Sequence, residues 1–308
     1  MRSSPIPGTL NIALSLLTAS ASLLLLWCAS HAHGWAGALA AAIAFSYTNN
    51  TTFALLHESV HGLFHSHTAV NEWFGRFNAA LFPTSLSFQR ICHLGHHRRN
   101  RGPAELFDYY KPGDNKFLKY AQWYGILTGA YWVLLPLACV LYLLCPWILR
   151  LPLLRQADSR IAHQTGANAM LSGFENAPGA RIRGEIFLTL LVQVAIVYSL
   201  HLTLAGWVLC YGCFAVNWSS LQYADHAWSV LDAREGAWNL KVNKAVQYLF
   251  LNYHHHLTHH RNPHIPWLHL PKHTELSEER PSFLKIYLEM WMGPKPYPSQ
   301  ALNETRST

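Results

Sequence analysis

Long stretches without lysine or arginine most constrain the fold of this chain. No basic residue occurs between Ser3 and Gly75, between Tyr120 and Leu149, or between Gly184 and Ala233. Almost all of the 23 basic residues gather in three blocks instead, at 90–119, 150–183 and 234–306. Apolar blocks that alternate with basic blocks are typical of membrane spans joined by cytoplasmic segments. The sequence therefore predicts a polytopic membrane protein.

The composition supports a membrane location. Hydrophobic residues make up 51% of the chain and charged residues only 13%, whereas a soluble domain carries about 25% charged residues. The 12 Trp and 14 Tyr are amphipathic rings of the kind that collect at membrane interfaces. This composition excludes a disordered chain, collagen and a coiled coil. The positive-inside rule explains the basic balance, so nucleic-acid binding is not needed to account for it.

Three apolar segments predict full crossings of the membrane, since a span needs about 20 residues. Residues 10–28 and 35–56 predict a first helical hairpin, and residues 184–221, with a weak break near His201, predict a second. A cleaved signal peptide is the alternative for residues 10–28. The apolar run continues to Leu26, however, and this length disfavours cleavage.

A fourth apolar segment, residues 123–149, is too long for one crossing and too short for two. If it enters the membrane, turns at Pro136 and returns, every basic block faces the cytoplasm. We therefore predict an all-α fold, a polytopic membrane helical bundle of about four spans plus a re-entrant or interfacial element. Residues 1–308 would form a single domain, with residues 222–308 as a cytosolic, histidine-rich metal-binding cap.

Histidine is the second anomaly, with 20 residues against 16 Asp plus Glu. Eight of them form three clusters in or beside basic stretches: His57 and His61; His93, His96 and His97; His256, His259 and His260. Residues three and four apart share one face of a helix, so each cluster can point several imidazoles at one place. Neutral imidazole binds Fe, Zn, Cu and Ni. Because a structural zinc takes four ligands, eight clustered histidines predict two metal ions.

Two other interpretations of these clusters are weaker. The pattern H-E-x-x-H, here His57 to His61, is the signature of zinc proteases with Glu58 as the general base, but it leaves the other clusters unexplained. A metal transporter needs ionisable ligands near mid-membrane, whereas these spans are nearly free of carboxylates and the clusters lie at their ends. A joint metal site is therefore favoured.

The motifs H-x-x-x-H, H-x-x-H-H and H-x-x-H-H, in this order around two pairs of spans, resemble the membrane fatty acid desaturase and hydroxylase superfamily over roughly residues 35–271. The closing segment, Asn252 to His260 followed by Pro263, is also similar. The resemblance implies a non-haem di-iron centre, with two Fe ions and O₂ as co-substrate, held by histidines on the cytosolic side. The family's isolated ninth ligand corresponds to His226.

Other residues are candidates to orient the ligating rings through hydrogen bonds to their outer nitrogens. The candidates are Glu58, Asp108, Asp225, Asn252, His254 and His255. Glu58 is the best of them because it lies inside a motif. No catalytic residue is predicted beyond the metal ligands. Residues 77–88 and 123–132 are candidates to line a substrate channel.

The resemblance implies O₂-dependent desaturation of an unactivated C–C bond in a fatty acyl or lipid substrate. Hydroxylation of a lipid or carotenoid-like substrate on the same metals is the alternative. The sequence has no Gly-rich dinucleotide fingerprint, haem-attachment motif or paired C-x2-C site, so electrons would come from a separate carrier of the ferredoxin or cytochrome b5 type with its reductase. We expect a multi-pass protein of the bacterial inner membrane or endoplasmic reticulum, with its active site facing the cytoplasm.

Overall fold

The computed structural model describes residues 4–147, 173–174 and 177–298. Helices account for most of the described chain, which confirms the predicted all-α class. In chain order they are α1 (Gly8–His31), α2 (Trp35–His61), α3 (Thr68–Leu81), α4 (Leu86–Arg99), α5 (Lys116–Leu127), α6 (Ala130–Leu144), α7 (Gly179–Ser199), α8 (Leu204–Ala224), α9 (Lys244–Leu249), α10 (His256–Arg261), α11 (Leu270–His273) and α12 (Phe283–Met290). Most of the basic block at 150–183 and the last residues of the predicted cap lie outside the described residues.

α1, α2 and α8 pack together in the body of the molecule, and α7 packs beside α3, α4 and α6. Residues 32–34 join α1 to α2, and residues 200–203 join α7 to α8, where His201 adopts a φ of +49°. α8 packs against α2 through an aromatic core, in which the rings of Phe53 and Trp218 meet edge to face at 5.2 Å. This core joins α8 to α1 and α2 and supports the ends of α2 and α8.

Three helices, α1, α7 and α8, are long and apolar enough to cross a membrane. α2 has 27 residues but is not among them, because Asn49, Asn50, Thr51 and Thr52 lower the hydropathy of its middle. These four side chains are buried against the rest of the protein. The first predicted hairpin is therefore present, but its second arm is less apolar than the prediction of a span at 35–56 requires.

The segment predicted at 123–149 is bent, although not at Pro136. α5 and α6 meet at an angle of 89° across Thr128 and Gly129, and Pro136 lies inside α6. Gly129 has a φ of +94°, and a Cβ at this position would lie 2.9 Å from the backbone of Ala215 on α8. Only glycine permits both this backbone conformation and this close approach. The bend is consistent with a broken span or a re-entrant element.

The residues after α8 form short elements that pack at the ends of α2 and α8. Strand β2 (Lys295–Pro296) pairs in parallel with β1 (Tyr109–Tyr110) in the loop that follows α4. In the same loop the buried Asp108 accepts hydrogen bonds from Arg101 at 2.9 Å, the Tyr223 hydroxyl at 2.8 Å and the Trp228 N–H at 2.6 Å. Asp108 therefore fixes this loop. The cytosolic location of the cap stays a prediction.

Arg90 holds α4 against α2 and α3. Its guanidinium donates to Glu72 Oε1 at 2.7 Å and to the carbonyl oxygen of Ser59 at 3.1 Å. On α7, Glu185 accepts from the Ser87 N–H at 2.8 Å, in the first turn of α4, where backbone N–H groups lack partners within the helix. These contacts orient α4 so that its histidines face the end of α2.

Candidate metal centre

The last turns of α2 present the first pair of histidines. His57 and His61 are four residues apart and share one face of the helix, with ring centroids 4.8 Å from each other. The helix stops at Gly62, whose φ of +75° is the left-handed conformation common after a helix end. Because the helix stops directly after His61, both rings lie where the other two clusters approach.

The two H-x-x-H-H motifs lie on α4 and α10, and each motif divides its rings between two groups. On α4 the first and third histidines join one group and the middle histidine joins the other, whereas on α10 the division is reversed. The five-histidine group is His57, His61, His93, His97 and His259, and the four-histidine group is His96, His226, His256 and His260. All nine predicted ligands are thus brought together.

The five-histidine group is a tight cluster of ring nitrogens. The Nε2 atoms of His61 and His93 are 2.9 Å apart, those of His93 and His97 3.0 Å, and those of His97 and His259 3.0 Å. The ring of His57 lies 4.6 Å from that of His259, and its Nε2 is buried without a hydrogen-bond partner among the described residues. The group therefore contains more buried nitrogens than hydrogen bonds between them can satisfy.

The four-histidine group is arranged around His226, in the turn that follows α8. The Nε2 atom of His226 lies 3.2 Å from that of His96 and 3.0 Å from that of His256. His260 completes the group with a ring centroid 5.0 Å from that of His226. Its Nε2 is also buried without a partner in the described part of the chain.

Hydrogen bonds to the outer nitrogens of His96 and His226 determine which nitrogen of each ring keeps a free lone pair. His226 Nδ1 lies 2.8 Å from the carbonyl oxygen of Gly236, and His96 Nδ1 lies 2.6 Å from Glu105 Oε2. Both Nδ1 atoms therefore carry the proton, which leaves both Nε2 atoms as acceptors in the neutral rings. Two acceptors that face each other at 3.2 Å repel unless a cation lies between them. Nitrogens bound to one ion at about 2.1 Å in perpendicular directions lie about 3.0 Å apart, so the group fits a metal ion.

Burial keeps four of the clustered rings neutral. Loss of solvation lowers the pKa of His97 to about 2 and the pKa values of His93, His226 and His260 well below 6.5. Neighbouring histidines lower these values further, because each charged ring would repel the next. A neutral imidazole with a free lone pair is the form that binds metals.

Glu105 contacts a candidate ligand, and the sequence motifs did not identify it. Besides accepting from His96, its carboxylate lies 3.4 Å from Arg99 Nε. Carboxylates that hold the outer N–H of a ligating histidine fix its tautomer and orientation. Glu105 lies outside the motifs, in a loop nine residues after His96, and only the position of that loop brings the two side chains together.

Of the three predicted carboxylates, Asp108 bonds to Arg101, Tyr223 and Trp228 instead of a ligating ring, whereas Glu58 and Asp225 are buried beside the site. Glu58 Oε1 lies 3.9 Å from His57 Nδ1, beyond hydrogen-bond distance, while its Oε2 accepts from the Trp267 N–H at 3.2 Å. Asp225 is fully buried, and neither of its oxygens has a partner in the described part of the chain. Burial raises the pKa of the Asp225 carboxyl. Neither side chain donates to or accepts from a ligating ring in the structure.

The remaining candidates have partners outside the histidine groups. Asn252 Nδ2 donates to the carbonyl oxygen of Trp267 at 3.2 Å, and its Oδ1 accepts from Gln247 at 3.2 Å. His255 Nδ1 lies 2.6 Å from the Thr274 hydroxyl, and the His255 ring packs on that of His254. These residues stabilise the segment that precedes α10.

A cavity of about 80 Å³ borders both histidine groups. Three of its walls are the aromatic rings of Phe53, Trp218 and Tyr131, and the last belongs to the segment 123–132 that was predicted to line a channel. The segment 77–88, which the structure describes in full, contributes no lining residue. On the polar side, Gln222 Oε1 accepts from the Tyr253 hydroxyl at 2.9 Å. The cavity therefore joins an apolar, aromatic space to the candidate metal ligands.

A model of the fatty acid desaturase family matches residues 30–294. The match runs from the end of α1 to just beyond α12 and includes all nine clustered histidines. No curated protein matches the chain.

Proposed function

The chain belongs to the fatty acid desaturase family, and from this premise we propose that it desaturates an unactivated C–C bond in a fatty acyl or lipid substrate, using two non-haem irons and O₂. The family implies an oxidoreductase, and the histidine groups are compatible with a metal site. The observation that carries the proposal is the division of nine histidines into groups of five and four beside one cavity.

The irons, when bound, supply the activation of O₂ that allows hydrogen to be removed from an unactivated methylene. The protein contributes position and environment. The two histidine groups would hold one iron each through neutral ring nitrogens. Glu105 and the Gly236 carbonyl oxygen keep the protons of His96 and His226 on Nδ1, so that Nε2 remains a ligand.

The cavity wall would hold the substrate carbon near both groups. Phe53 and Trp218 pack edge to face, and Tyr131 stacks on Trp218 with a centroid distance of 5.7 Å. Flat aromatic walls fit an apolar chain and exclude water from the reacting position. The apolar helices α1, α7 and α8 support a multi-pass location, in the bacterial inner membrane or the endoplasmic reticulum, where such chains are available.

Electrons would come from a separate carrier of the ferredoxin or cytochrome b5 type with its reductase. The basic block at 90–119, which begins within α4, supports this partner. Its residue Arg98 directly follows His97 and is exposed. A basic face turned to the cytoplasm would attract an acidic carrier by long-range steering. The purified chain with a reduced pyridine nucleotide alone should therefore be inactive, and turnover without a carrier would contradict this partner.

A metal transporter is supported less well. Neither α1 nor α8 contains an acidic or basic residue other than histidine. The clustered histidines lie at the end of α2, on α4, after α8 and on α10 rather than along a path through the bundle. Ion pathways require ionisable groups within the membrane.

Mass spectrometry of lipids from a host that expresses the chain with a reductase and carrier tests the proposal. His97→Ala removes one candidate ligand, and His273→Ala, at an exposed position outside both groups, is the matched control. We expect a lipid that lacks two hydrogens with the wild type and His273→Ala and not with His97→Ala, together with two irons per purified chain.

A product that gains one oxygen would replace desaturation by hydroxylation on the same metals. Absence of both iron and product in the wild type would contradict the proposal.

A further inference from the structure

A second cavity, of about 320 Å³, lies between α2, α8, α9 and α12. Its apolar walls include Tyr47, Leu221, Val246 and Phe250, and the rings of Tyr47 and Phe250 lie 5.9 Å apart. Tyr47 precedes His57 by ten residues on α2, which corresponds to about 15 Å along a helix. The cavity is therefore separate from the candidate metal centre.

One lysine lines this second cavity, and two more follow its lining residues in sequence. Lys241 lines it, and Lys244 and Lys285 follow the lining residues Asn243 and Leu284 in sequence. All three lysines are exposed, and none forms an ion pair with an acidic side chain in the described part of the protein. Unpaired ammonium groups on the segments that line an apolar cavity favour a ligand that is both anionic and apolar.

The helices on either side of the cavity have the character of a membrane interface. On α9, Tyr248 is 71% exposed, and on α12 both Leu284 and Leu288 are 59% exposed. The buried side of α12 is formed by Ile286 and Met290. Short helices with an exposed apolar side next to lysines lie in the headgroup region of a bilayer. This composition favours a position of the cavity opening where lipid headgroups meet acyl chains.

We propose that this cavity binds an anionic phospholipid of the adjacent membrane leaflet. The phosphate would pair with Lys241 and its neighbouring lysines, since basic residues at a membrane surface attract anionic lipids. The upper part of an acyl chain would pack against Tyr47, Leu221 and Phe250. This site is independent of the reaction at the metals, and its failure would leave the proposed function intact.

Native mass spectrometry of the full chain in detergent, with added phosphatidylglycerol or phosphatidylcholine, tests this site. We expect retention of phosphatidylglycerol in preference to phosphatidylcholine. The triple variant Lys241→Gln, Lys244→Gln and Lys285→Gln should reduce phosphatidylglycerol retention by about 100-fold. The matched control removes the same charge elsewhere through Lys116→Gln, Arg234→Gln and Lys272→Gln, and it should retain the lipid.

A second variant tests the apolar part of the cavity without a change of charge. Val246→Trp fills the space beside Phe250 and should also reduce retention of phosphatidylglycerol. Equal retention of the two lipids by the wild type would overturn the proposal, and so would unchanged retention in both variants. Equal loss in the lysine triple variant and its control would assign the effect to net charge and reject the site.

Discussion

The two histidine groups differ in how their rings are held. In the four-histidine group, Glu105 and the Gly236 carbonyl oxygen hold the outer nitrogens of His96 and His226. Within the described residues, the hydrogen bonds of the five-histidine group join only its own Nε2 atoms, and the nearest carboxylate, Glu58, is 3.9 Å from His57. In the four-histidine group the protein therefore sets the tautomers of two rings, whereas the five-histidine group is oriented by packing.

This difference shows that similar motifs produce unlike sites. Each H-x-x-H-H motif contributes to both groups, so the ligand types are the same. What distinguishes the groups is the number of rings and the acceptors around them. The four-histidine group has one ring fewer, and acceptors of the protein hold the outer nitrogens of two of its rings. The five-histidine group has one ring more and no such acceptor within hydrogen-bond distance among the described residues.

The largest effect should follow removal of a ring from the smaller group. His260→Ala leaves three histidines in the four-histidine group, whereas His61→Ala leaves four in the other. Because an outer-sphere partner alone is worth about 10–100-fold in metal affinity, loss of a ligand should cost more than about 100-fold. We expect His260→Ala to lose one iron per chain and His61→Ala to lose less, measured by elemental analysis. Equal metal loss in the two variants would remove the distinction between the groups.

Removal of the acceptor should weaken the four-histidine group selectively. Glu105→Ala frees the outer nitrogen of His96, and we expect the affinity for one of the two metals to fall about 10–100-fold. Titration with a competing chelator measures this change. Glu279→Ala, at an exposed position without an ion pair among the described residues, is the control. An equal loss of both metals from Glu105→Ala would contradict the assignment.

Acidification should destabilise the metal-free protein through both groups. Burial lowers the pKa of His97 to about 2 and the pKa values of His259 and His260 well below 6.5. Below pH 6.5 the unfolded chain therefore binds protons that these folded rings do not, and the stability that is fully present above pH 6.5 is lost as pH falls. Each such ring lowers the free energy of unfolding by about 2 kcal/mol at pH 5.

Thermal unfolding of chelator-treated protein at pH 8 and pH 5 measures this effect. The metal-loaded protein should be less sensitive, because a bound metal competes with the proton for the same lone pair. A melting temperature of the metal-free protein that does not change between these pH values would show that the rings are not buried in the neutral form.

The smallest effect should follow a change at Glu58. Glu58→Gln retains an oxygen that can accept from the Trp267 N–H, and the carboxylate does not hydrogen-bond to His57. We expect the metal affinity of the five-histidine group to change by about threefold or less, below the effect of a true outer-sphere partner. A loss as large as that of Glu105→Ala would show that Glu58 does orient His57.

Part of the architecture was predictable from local patterns. The apolar segments at 10–28 and 184–221 appear as the long apolar helices α1, α7 and α8, because length and hydropathy are properties of the segment itself. The bend in the fourth segment was expected but its position was not. Pro136 remains within a helix, while Gly129 turns the chain because α8 approaches it closely.

Eight of the nine candidate ligands could be read from the sequence, since residue type and a spacing of three or four determine which rings share a helix face. The isolated His226 was assigned only through the family resemblance. Only the tertiary structure decided how those rings are shared, with each motif on α4 and α10 contributing to both groups. It also brought Glu105, and not Glu58, within hydrogen-bond distance of a ligating ring. Contacts of this kind depend on loops that meet across the fold, where no periodicity relates one residue to the other.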